Sequence, residues 1–313
     1  MNTSPAFIEA LRDASTFAPE LPQSDAFDTL ARVESYERAL IVGSGTELIS
    51  VTNYAGGTAR YADEVVVFGV DSERVLISAD HATDPFKKST GQYRGADHGT
   101  AGLAVLLSKQ GAQAIVPLGR QTGNVAVSPD THPIKQRIGE LLPGKAGFIS
   151  LHGMASGKLT TLHDPTEIHA VVGLGVNPNE QSCRVAEKIL AEAANLGLRA
   201  VIGNRTKHLK YDAITGGFEL DEEGVALTGE LKAPLSNMTT NYAYRVMETT
   251  GQQIPSVQLE MARLLRLIPR DYYDGWHKDR KARAMGVHLG YLLSKAAVDA
   301  AQIAEPGETR SVE

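Results

Sequence analysis

From about residue 100 onward, short apolar runs alternate with segments whose apolar residues recur at helical spacing. AQAIVPLG, KAGFISLHG, IHAVVGLG and LRAVIGN are bounded by turn residues and predict strands. The intervening segments, such as Thr100 to Lys109 and PIKQRIGELL, predict helices, and Asn179 is placed to cap a further helix that ends near Gly197. This alternation is typical of α/β proteins. We therefore predict a mixed, largely parallel central sheet flanked by helices.

The N-terminal part of the chain has a different pattern. Phe27, Leu30 and Ala31 have helical spacing after Ser24, and they predict a short helix. RALIVG, ELISVTNY, DEVVVFGV and RVLISA are β-rich and separated by turn residues, which favours an initial meander of strands. Further on, FELDEEGVALTGEL predicts a hairpin. VQLEM predicts a strand that turns into a helix, although a helix throughout is equally allowed locally.

The length and composition are those of an ordinary globular protein. The chain has 313 residues, of which 42% are hydrophobic, and a net charge of −6 with both signs interspersed. It has neither the basic stripe that nucleic acid requires nor a run of ~20 apolar residues that could span a membrane. We expect a cytoplasmic protein without nucleic-acid or membrane partners, and we leave a homo-oligomer open. We also expect one domain over 1–313, with an N-terminal helical extension at 1–35 and a flexible tail at 303–313.

Polar residues with metal-binding chemistry follow the predicted strands. His81 and Asp84 come after the run VLISA, His152 follows GFISL, and Glu260 lies within VQLEM. Ligands of α/β sheets gather beyond the carboxyl ends of strands. Two histidines and a carboxylate can bind one divalent metal, and a separate glutamate can act as a base toward water. The alternatives are core histidines that bond to backbone carbonyls and a glutamate in a salt bridge.

A family resemblance rests on several short motifs. ISADHATD, ADHGTAGLA, VPLGRQTGN, HPIKQRI, ISLHGM, VVGLG and VQLEMARLL occur in the order seen in N-formylglutamate amidohydrolase-like proteins. From Val75 to Leu267 the chain resembles this family, which in turn resembles the zinc carboxypeptidase superfamily. The resemblance implies a phosphorylase/hydrolase-like α/β fold, as in zinc carboxypeptidases, with one zinc ion per chain. It implies metal ligation by His81, Asp84 and His152, and a catalytic base at Glu260.

The chain departs from the family pattern at two places. The family's carboxylate ligand is more usually glutamate, and because aspartate is shorter, Asp80 or a water is the alternative to Asp84. Arg120 matches the first arginine of the family's motif, and a guanidinium suits a substrate carboxylate. The family continues with Asp-x-Asn-Arg, whereas this chain reads NVAV from Asn124, so the second arginine is missing. Asn124 is a candidate for substrate binding, with a role in a turn as the alternative.

Four further residues have secondary interpretations. Arg137 and Arg263 are spare candidates for carboxylate binding, although arginines on helix surfaces usually face solvent. His98 and Asp97, in ADHGT, are candidates to lie near the site, whereas capping of the following helix by Asp97 is the commoner role for such an aspartate.

These residues and the family resemblance together predict a hydrolase that uses zinc to activate water and Glu260 as the base. We expect its substrate to be a small N-acyl amino acid or a related carboxylate-bearing compound, which is cleaved at an amide bond. The missing second arginine argues against N-formylglutamate itself. A carboxypeptidase-like peptidase or a hydrolase of γ-glutamyl peptides is the alternative with the same chemistry. A non-catalytic homologue that binds a ligand is the alternative of a different class.

Overall fold

The structure, a computed structural model, describes residues 22–43, 64–82, 86–87, 92–93, 97–118, 125, 130–153, 159–160, 168–175, 178–203, 209–212, 217–220, 226–227, 239–266 and 280–303. Within them, the helices are α1 (Gln23–Gly43), α2 (Thr100–Ser108), α3 (Pro133–Leu141), α4 (Glu180–Asn195), α5 (Thr239–Thr250) and α6 (Arg280–Gln302). A short 3₁₀ helix covers Arg263–Leu265. None of these helices combines the length and the apolar character that crossing a membrane demands.

The strands of the central sheet are β1 (Glu64–Phe68), β2 (Val75–Ser78), β5 (Ala112–Leu118), β6 (Gly147–Gly153), β8 (Ala170–Gly173), β9 (Ala200–Gly203) and β13 (Ser256–Met261). Small two-stranded sheets are formed by β3 (Phe86–Lys87) with β4 (Gln92–Tyr93), β7 (Leu159–Thr160) with β12 (Ala226–Leu227), and β10 (Leu209–Asp212) with β11 (Gly217–Leu220).

The seven-stranded sheet is mostly parallel. Its strand order is β1-β5-β2-β6-β13-β8-β9. The neighbours β5, β2, β6 and β13 are parallel to one another, whereas β1 and β8 are antiparallel to β5 and β13 respectively, and β9 is parallel to β8. The predicted mixed, largely parallel α/β sheet with flanking helices is confirmed.

Helices cover both faces of this sheet. Side chains alternate between the faces of a strand, and the buried apolar residues follow this period. On one face, Leu76 and Phe148 belong to a core with residues of α3 and α5. On the other face, Ile77 and Ile149 belong to a larger core with residues of α1, α2, α4 and α6. The central strands are therefore buried on both sides, which explains their nearly continuous apolar runs.

Helix α6 packs directly on the segment that follows β13. A Cβ at Gly286 would overlap the carbonyl oxygen of Leu264, and one at Gly290 would overlap that of Leu265. Only glycine permits such a close approach of a helix to another backbone. The two glycines therefore hold the 3₁₀ helix in place beside the carboxyl end of the sheet.

The predicted N-terminal meander is wrong. The run RALIVG is helical, because α1 continues to Gly43. Strand β1 pairs with β5, whereas β2 lies between β5 and β6, so these two strands are not neighbours. Short apolar runs do not distinguish a helix from a strand, and β2 is buried on both faces, which places it at the centre of a sheet. The run ELISVTNY lies outside the described residues.

The predicted hairpin in FELDEEGVALTGEL is also wrong. Its first half forms β11, which pairs with β10, and its second half forms β12, which pairs with β7. The turn residues between the two halves favour a hairpin, but β11 and β12 each pair with a different strand instead of with one another. The predicted strand in VQLEM is confirmed by β13, which is followed by the short 3₁₀ helix.

Candidate functional site

Three neighbouring parallel strands carry polar side chains near their carboxyl ends. Ser78 of β2 is opposite Ser150 of β6, which in turn is opposite Gln258 of β13. Two residues further along, His152 of β6 is opposite Glu260 of β13. Because side chains alternate, all five lie on the face that α3 and α5 cover. The apolar core of this face therefore changes into a buried polar patch at the carboxyl edge of the sheet.

Two histidines and one aspartate converge at this edge. One ligand atom from each of His81, Asp97 and His152 lies within 4.8 Å of those of the other two. The two imidazole rings meet edge to face, with their centroids 4.8 Å apart. Oδ2 of Asp97 is 3.3 Å from Nδ1 of His152 and 3.6 Å from Nδ1 of His81. All three side chains are buried, and two imidazoles with a carboxylate are a typical ligand set of zinc.

The chain brings Asp97 to this cluster through backbone contacts. The N–H of Asp97 donates to the carbonyl of His81 at 2.7 Å. The hydroxyl of Thr100, the first residue of α2, donates to the carbonyl of Asp97 at 2.7 Å. The N-cap of α2 is Gly99, and no side chain caps this helix terminus. The predicted capping role of Asp97 is therefore wrong, because its carboxylate faces the two histidines instead.

The other ring nitrogen of His152 has polar neighbours of its own. The Ser150 hydroxyl is 3.0 Å from Nε2 of His152, and it donates to Oδ2 of Asp80 at 3.2 Å. The same hydroxyl is 3.2 Å from that of Thr239 on α5. Burial would raise the pKa of Asp80, but the hydrogen bond and charge of His152 outweigh burial and lower this pKa to about 2. Asp80 is therefore ionised, and with Ser150 it fixes the orientation of the His152 ring.

The electrostatics of the cluster suit a cation. Burial would raise the pKa of Asp97, yet the bonds and charges of His152 and His81 hold it well below the usual range. Burial would lower the pKa of His152, whereas Asp80, Asp97 and Glu260 raise it well above the usual range. Buried carboxylates thus surround the ring of His152. A divalent metal would compensate these negative charges, so the residues present fit such an ion.

Glu260 lies beside the cluster with an ordered carboxylate. It is buried in β13, directly opposite His152 in the strand register. The side-chain amide of Gln258 donates to Oε1 of Glu260 at 2.6 Å. Gln258 therefore fixes the orientation of the Glu260 carboxylate on the same face of the sheet as His152. The alternation in VQLEM had already placed Gln258 and Glu260 on one face, but it did not reveal this hydrogen bond.

The structure brings together three of the predicted site residues, His81, His152 and Glu260. The remaining ones, Asp84, Arg120 and Asn124, lie outside the described residues, so their roles stay predictions. Of the spare arginines, Arg137 pairs with Glu140 within α3, and both side chains are exposed. Its predicted position on a helix surface is thereby confirmed.

The buried polar residues around the histidines were largely missed from the sequence. Alternation of polar and apolar residues in FISLH places Ser150 on the same face as His152, but it does not indicate the contact with Asp80. The sequence indicates Asp80 only as an alternative ligand. It indicates Asp97 mainly as a helix cap, because no local pattern shows that this carboxylate faces the two histidines.

Comparison with known proteins gives only distant similarities. No protein-family model matches the chain, and no curated protein matches its sequence. Among solved structures, the chain is similar to zinc-free YndL, with 18% identity, a TM-score of 0.35, and coverage of 73% of this chain and 88% of that one. A bacteriophage poly-γ-glutamate hydrolase has 14% identity and a TM-score of 0.37, with coverage of 76% and 91%.

A dinuclear metal-binding peptidase from Bacillus subtilis has 11% identity and a TM-score of 0.32, with coverage of 95% of this chain and 99% of that one. These similarities are too distant to assign a function. The resemblance to N-formylglutamate amidohydrolase-like proteins therefore stays a prediction. The fold and the site define a mixed α/β protein with a candidate metal centre at the carboxyl edge of its sheet, and its function has to be judged from these residues.

Proposed function

We propose that the protein is a zinc-dependent hydrolase that cleaves the amide bond of a small N-acyl amino acid or a related carboxylate-bearing substrate. One observation supports it above all others. The ligand atoms of His81, Asp97 and His152 lie within 4.8 Å of one another, beside the buried Glu260. The proposed ligands and the proposed base lie in separate segments of the sequence, and the folding of the chain brings them together.

His81, Asp97 and His152 would hold one zinc ion per chain. In this proposal Asp97 would supply the carboxylate ligand, a role that the family resemblance implies for Asp84. When bound, zinc polarises a carbonyl group and makes a water molecule acidic enough to ionise near neutrality. The residues of the chain prepare this site in advance. Ser150 and Asp80 hold the Nε2 side of the His152 ring, which directs Nδ1 toward Asp97.

Glu260 would act as the base. Its carboxylate takes a proton from the attacking water and delivers it to the leaving nitrogen of the amide. Gln258 binds Oε1 and restricts rotation of the carboxylate, so the group does not have to be ordered during the reaction. Gln258 and Glu260 are both buried, and charges on reacting atoms interact more strongly in a buried site than in water.

The substrate class depends on residues that the structure does not describe. We propose that Arg120 binds the substrate carboxylate and that Asn124 donates a hydrogen bond to the substrate. We also retain a single metallohydrolase domain over 1–313 that acts on a small molecule and has no nucleic-acid or membrane partner. A carboxypeptidase-like or γ-glutamyl peptide hydrolase would use the same metal centre and the same base.

The metal content of purified protein tests the proposal first. We expect about one equivalent of zinc by elemental analysis, with most of it lost in His81→Ala, His152→Ala and Asp97→Asn. Asp130→Asn is a matched control, because Asp130 is exposed and pairs with Arg245, and it is not one of the three clustered residues. Zinc that remains in all three site variants would overturn the proposed ligand set.

Turnover is then measured on a panel of N-formyl and N-acetyl amino acids, dipeptides and γ-glutamyl dipeptides. Hydrolysis that stops with a chelator and returns with zinc is expected, and the preferred group identifies the substrate class. Zinc bound at the site without turnover of any compound would favour the non-catalytic, ligand-binding alternative.

A further inference from the structure

Arg266, which directly follows the 3₁₀ helix, contacts three different segments at the carboxyl edge of the sheet. Its Nε donates to the carbonyl of Met261 at 3.0 Å, and its Nη1 donates to the carbonyl of His98 at 2.9 Å. The guanidinium also lies against Gly153. A Cβ at Gly153 would overlap the guanidinium carbon and both of its terminal nitrogens. The side chain is buried, so these contacts define its position.

The three contacted residues share a property that connects Arg266 to the site. Each of them directly follows a proposed ligand or base in the chain: Gly153 follows His152, His98 follows Asp97, and Met261 follows Glu260. One guanidinium therefore touches the end of β6, the end of β13 and the loop before α2. The ladder between β6 and β13 already pairs Gly153 with Met261, whereas the loop before α2 lies outside the sheet. The contact with His98 therefore joins this loop to the two strand ends.

We propose that Arg266 is a positioning residue, which holds the segment of Asp97 against the ends of β6 and β13, at the separation from His152 and Glu260 that metal binding and proton transfer require. This role rests on the function proposed above. Arg266 acts through backbone carbonyls and through packing, and it does not have to touch the metal or the substrate.

The chemistry of arginine suits this role better than that of lysine. A guanidinium is planar and carries five N–H donors in a rigid fork, so it can donate in different directions while it packs against a glycine. A lysine ammonium is a compact group on a flexible chain and cannot reproduce this arrangement. Gly153 leaves the space that the guanidinium occupies, because any side chain there would displace it.

One further observation supports a fixed position of Arg266. The 3₁₀ helix before it is held against α6 by the close approach at Gly286 and Gly290.

The test compares Arg266→Lys with wild-type protein, with Arg245→Lys as a matched control. Arg245 is a partly exposed arginine of α5 that pairs with Asp130. Metal-free protein is titrated with Co²⁺ against a competing chelator, and the visible spectrum reports the geometry around the ion. Thermal unfolding of the metal-free proteins shows whether each variant is folded.

For Arg266→Lys we expect a folded protein whose dissociation constant for Co²⁺ rises by about 10- to 100-fold, as is typical when groups that orient metal ligands are lost. Its visible spectrum should also change. Arg245→Lys should match the wild type in both measurements. Wild-type affinity and an unchanged spectrum in a folded Arg266→Lys would overturn the positioning role.

A second variant keeps the test decisive if Arg266→Lys does not fold. Gly153→Ala keeps the arginine, but the added Cβ would displace its guanidinium, and we expect the same weakening of Co²⁺ binding in a folded protein. Wild-type Co²⁺ binding by Gly153→Ala would again overturn the role. If wild-type protein binds no Co²⁺ through His81 and His152, the proposed function fails together with the positioning role. If wild-type protein binds Co²⁺ and the variants bind it equally well, only the positioning role fails.

Discussion

Glu260 and His152 are register partners on the adjacent parallel strands β13 and β6, and both side chains are buried. Neighbouring strands lie about 4.8 Å apart, so the proposed base and one proposed metal ligand are one strand spacing from each other. The sheet therefore sets the separation between the base and the metal centre. Loops contribute the other ligands, but this separation does not depend on them.

The first prediction concerns Glu260→Gln. The amide keeps the size of the side chain but cannot accept a proton, so we expect zinc content and thermal stability close to those of the wild type. The rate of amide hydrolysis should fall by about 10²- to 10⁴-fold, the usual contribution of a general base. Elemental analysis and steady-state kinetics measure the two effects. Near-normal turnover by Glu260→Gln would eliminate this residue as the base.

The second prediction concerns Ser150→Ala. The hydroxyl lies between Nε2 of His152 and Oδ2 of Asp80, and its removal frees the ring to rotate. We expect zinc affinity to fall by about 10- to 100-fold, measured by competition with a chelator. Ser108→Ala is the matched control, because this serine is also buried but bonds within α2. Equal zinc affinity in the two variants would contradict the orienting role of Ser150.

The third prediction concerns Glu37 on α1, far along the chain from the site. Burial raises the pKa of Glu37 to about 8, and the opposing hydrogen bond from the Gly102 N–H is the smaller effect. The folded state therefore binds a proton that the unfolded chain releases near pH 4.5. The stabilisation by this proton is complete below that pH and is lost as the pH rises through about 8.

The loss amounts to about 4–5 kcal/mol as an order of magnitude. Glu37→Gln keeps an acceptor for Gly102 but carries no charge, so the free energy of unfolding of this variant should depend less on pH. Urea unfolding at pH 5 and pH 9 measures the difference. Glu34→Gln, a partly exposed site on the same helix, is the control and should keep the wild-type dependence. An unchanged pH dependence in Glu37→Gln would contradict the prediction.

The fourth prediction concerns Gly290→Ala in α6. Alanine normally stabilises a helix, but here its Cβ would overlap the carbonyl oxygen of Leu265. We expect the free energy of unfolding to fall by about 1–3 kcal/mol, since the 3₁₀ helix must move away. Lys295→Ala, a partly exposed position on the same helix, should change it by less than about 0.5 kcal/mol. If the Gly290→Ala protein is as stable as the wild type in urea, α6 does not pack tightly against the Leu265 carbonyl.

Residues at strand ends were the most predictable part of the site. His81 and His152 follow apolar runs, and the polarity change alone indicated where each strand ends. The alternation in VQLEM likewise placed Glu260 on one face with Gln258. These inferences depend only on the local period of a strand, which a sequence shows directly.

Contacts between distant segments were not predictable in the same way. The carboxylate of Asp97 reaches the histidines because the loop before α2 returns to the sheet, and no local pattern encodes that path. For the same reason, the partners of β1 and β11 were assigned wrongly, since apolar runs show that a strand forms but not which strand it joins. Arg266 had no sequence signal, because its partners are backbone carbonyls and a glycine.

The alternation along β6 has a consequence for how this region tolerates changes in length. Ile149 and Leu151 face the larger core, whereas Ser150 and His152 face the other side of the sheet. A single residue inserted near Phe148 would exchange the two sets, so that His152 would enter the apolar core and Leu151 would replace it at the edge. A two-residue insertion would keep each side chain on its face of the sheet and would shift only its position along the strand. Length variation in this strand should therefore be accepted only in steps of two.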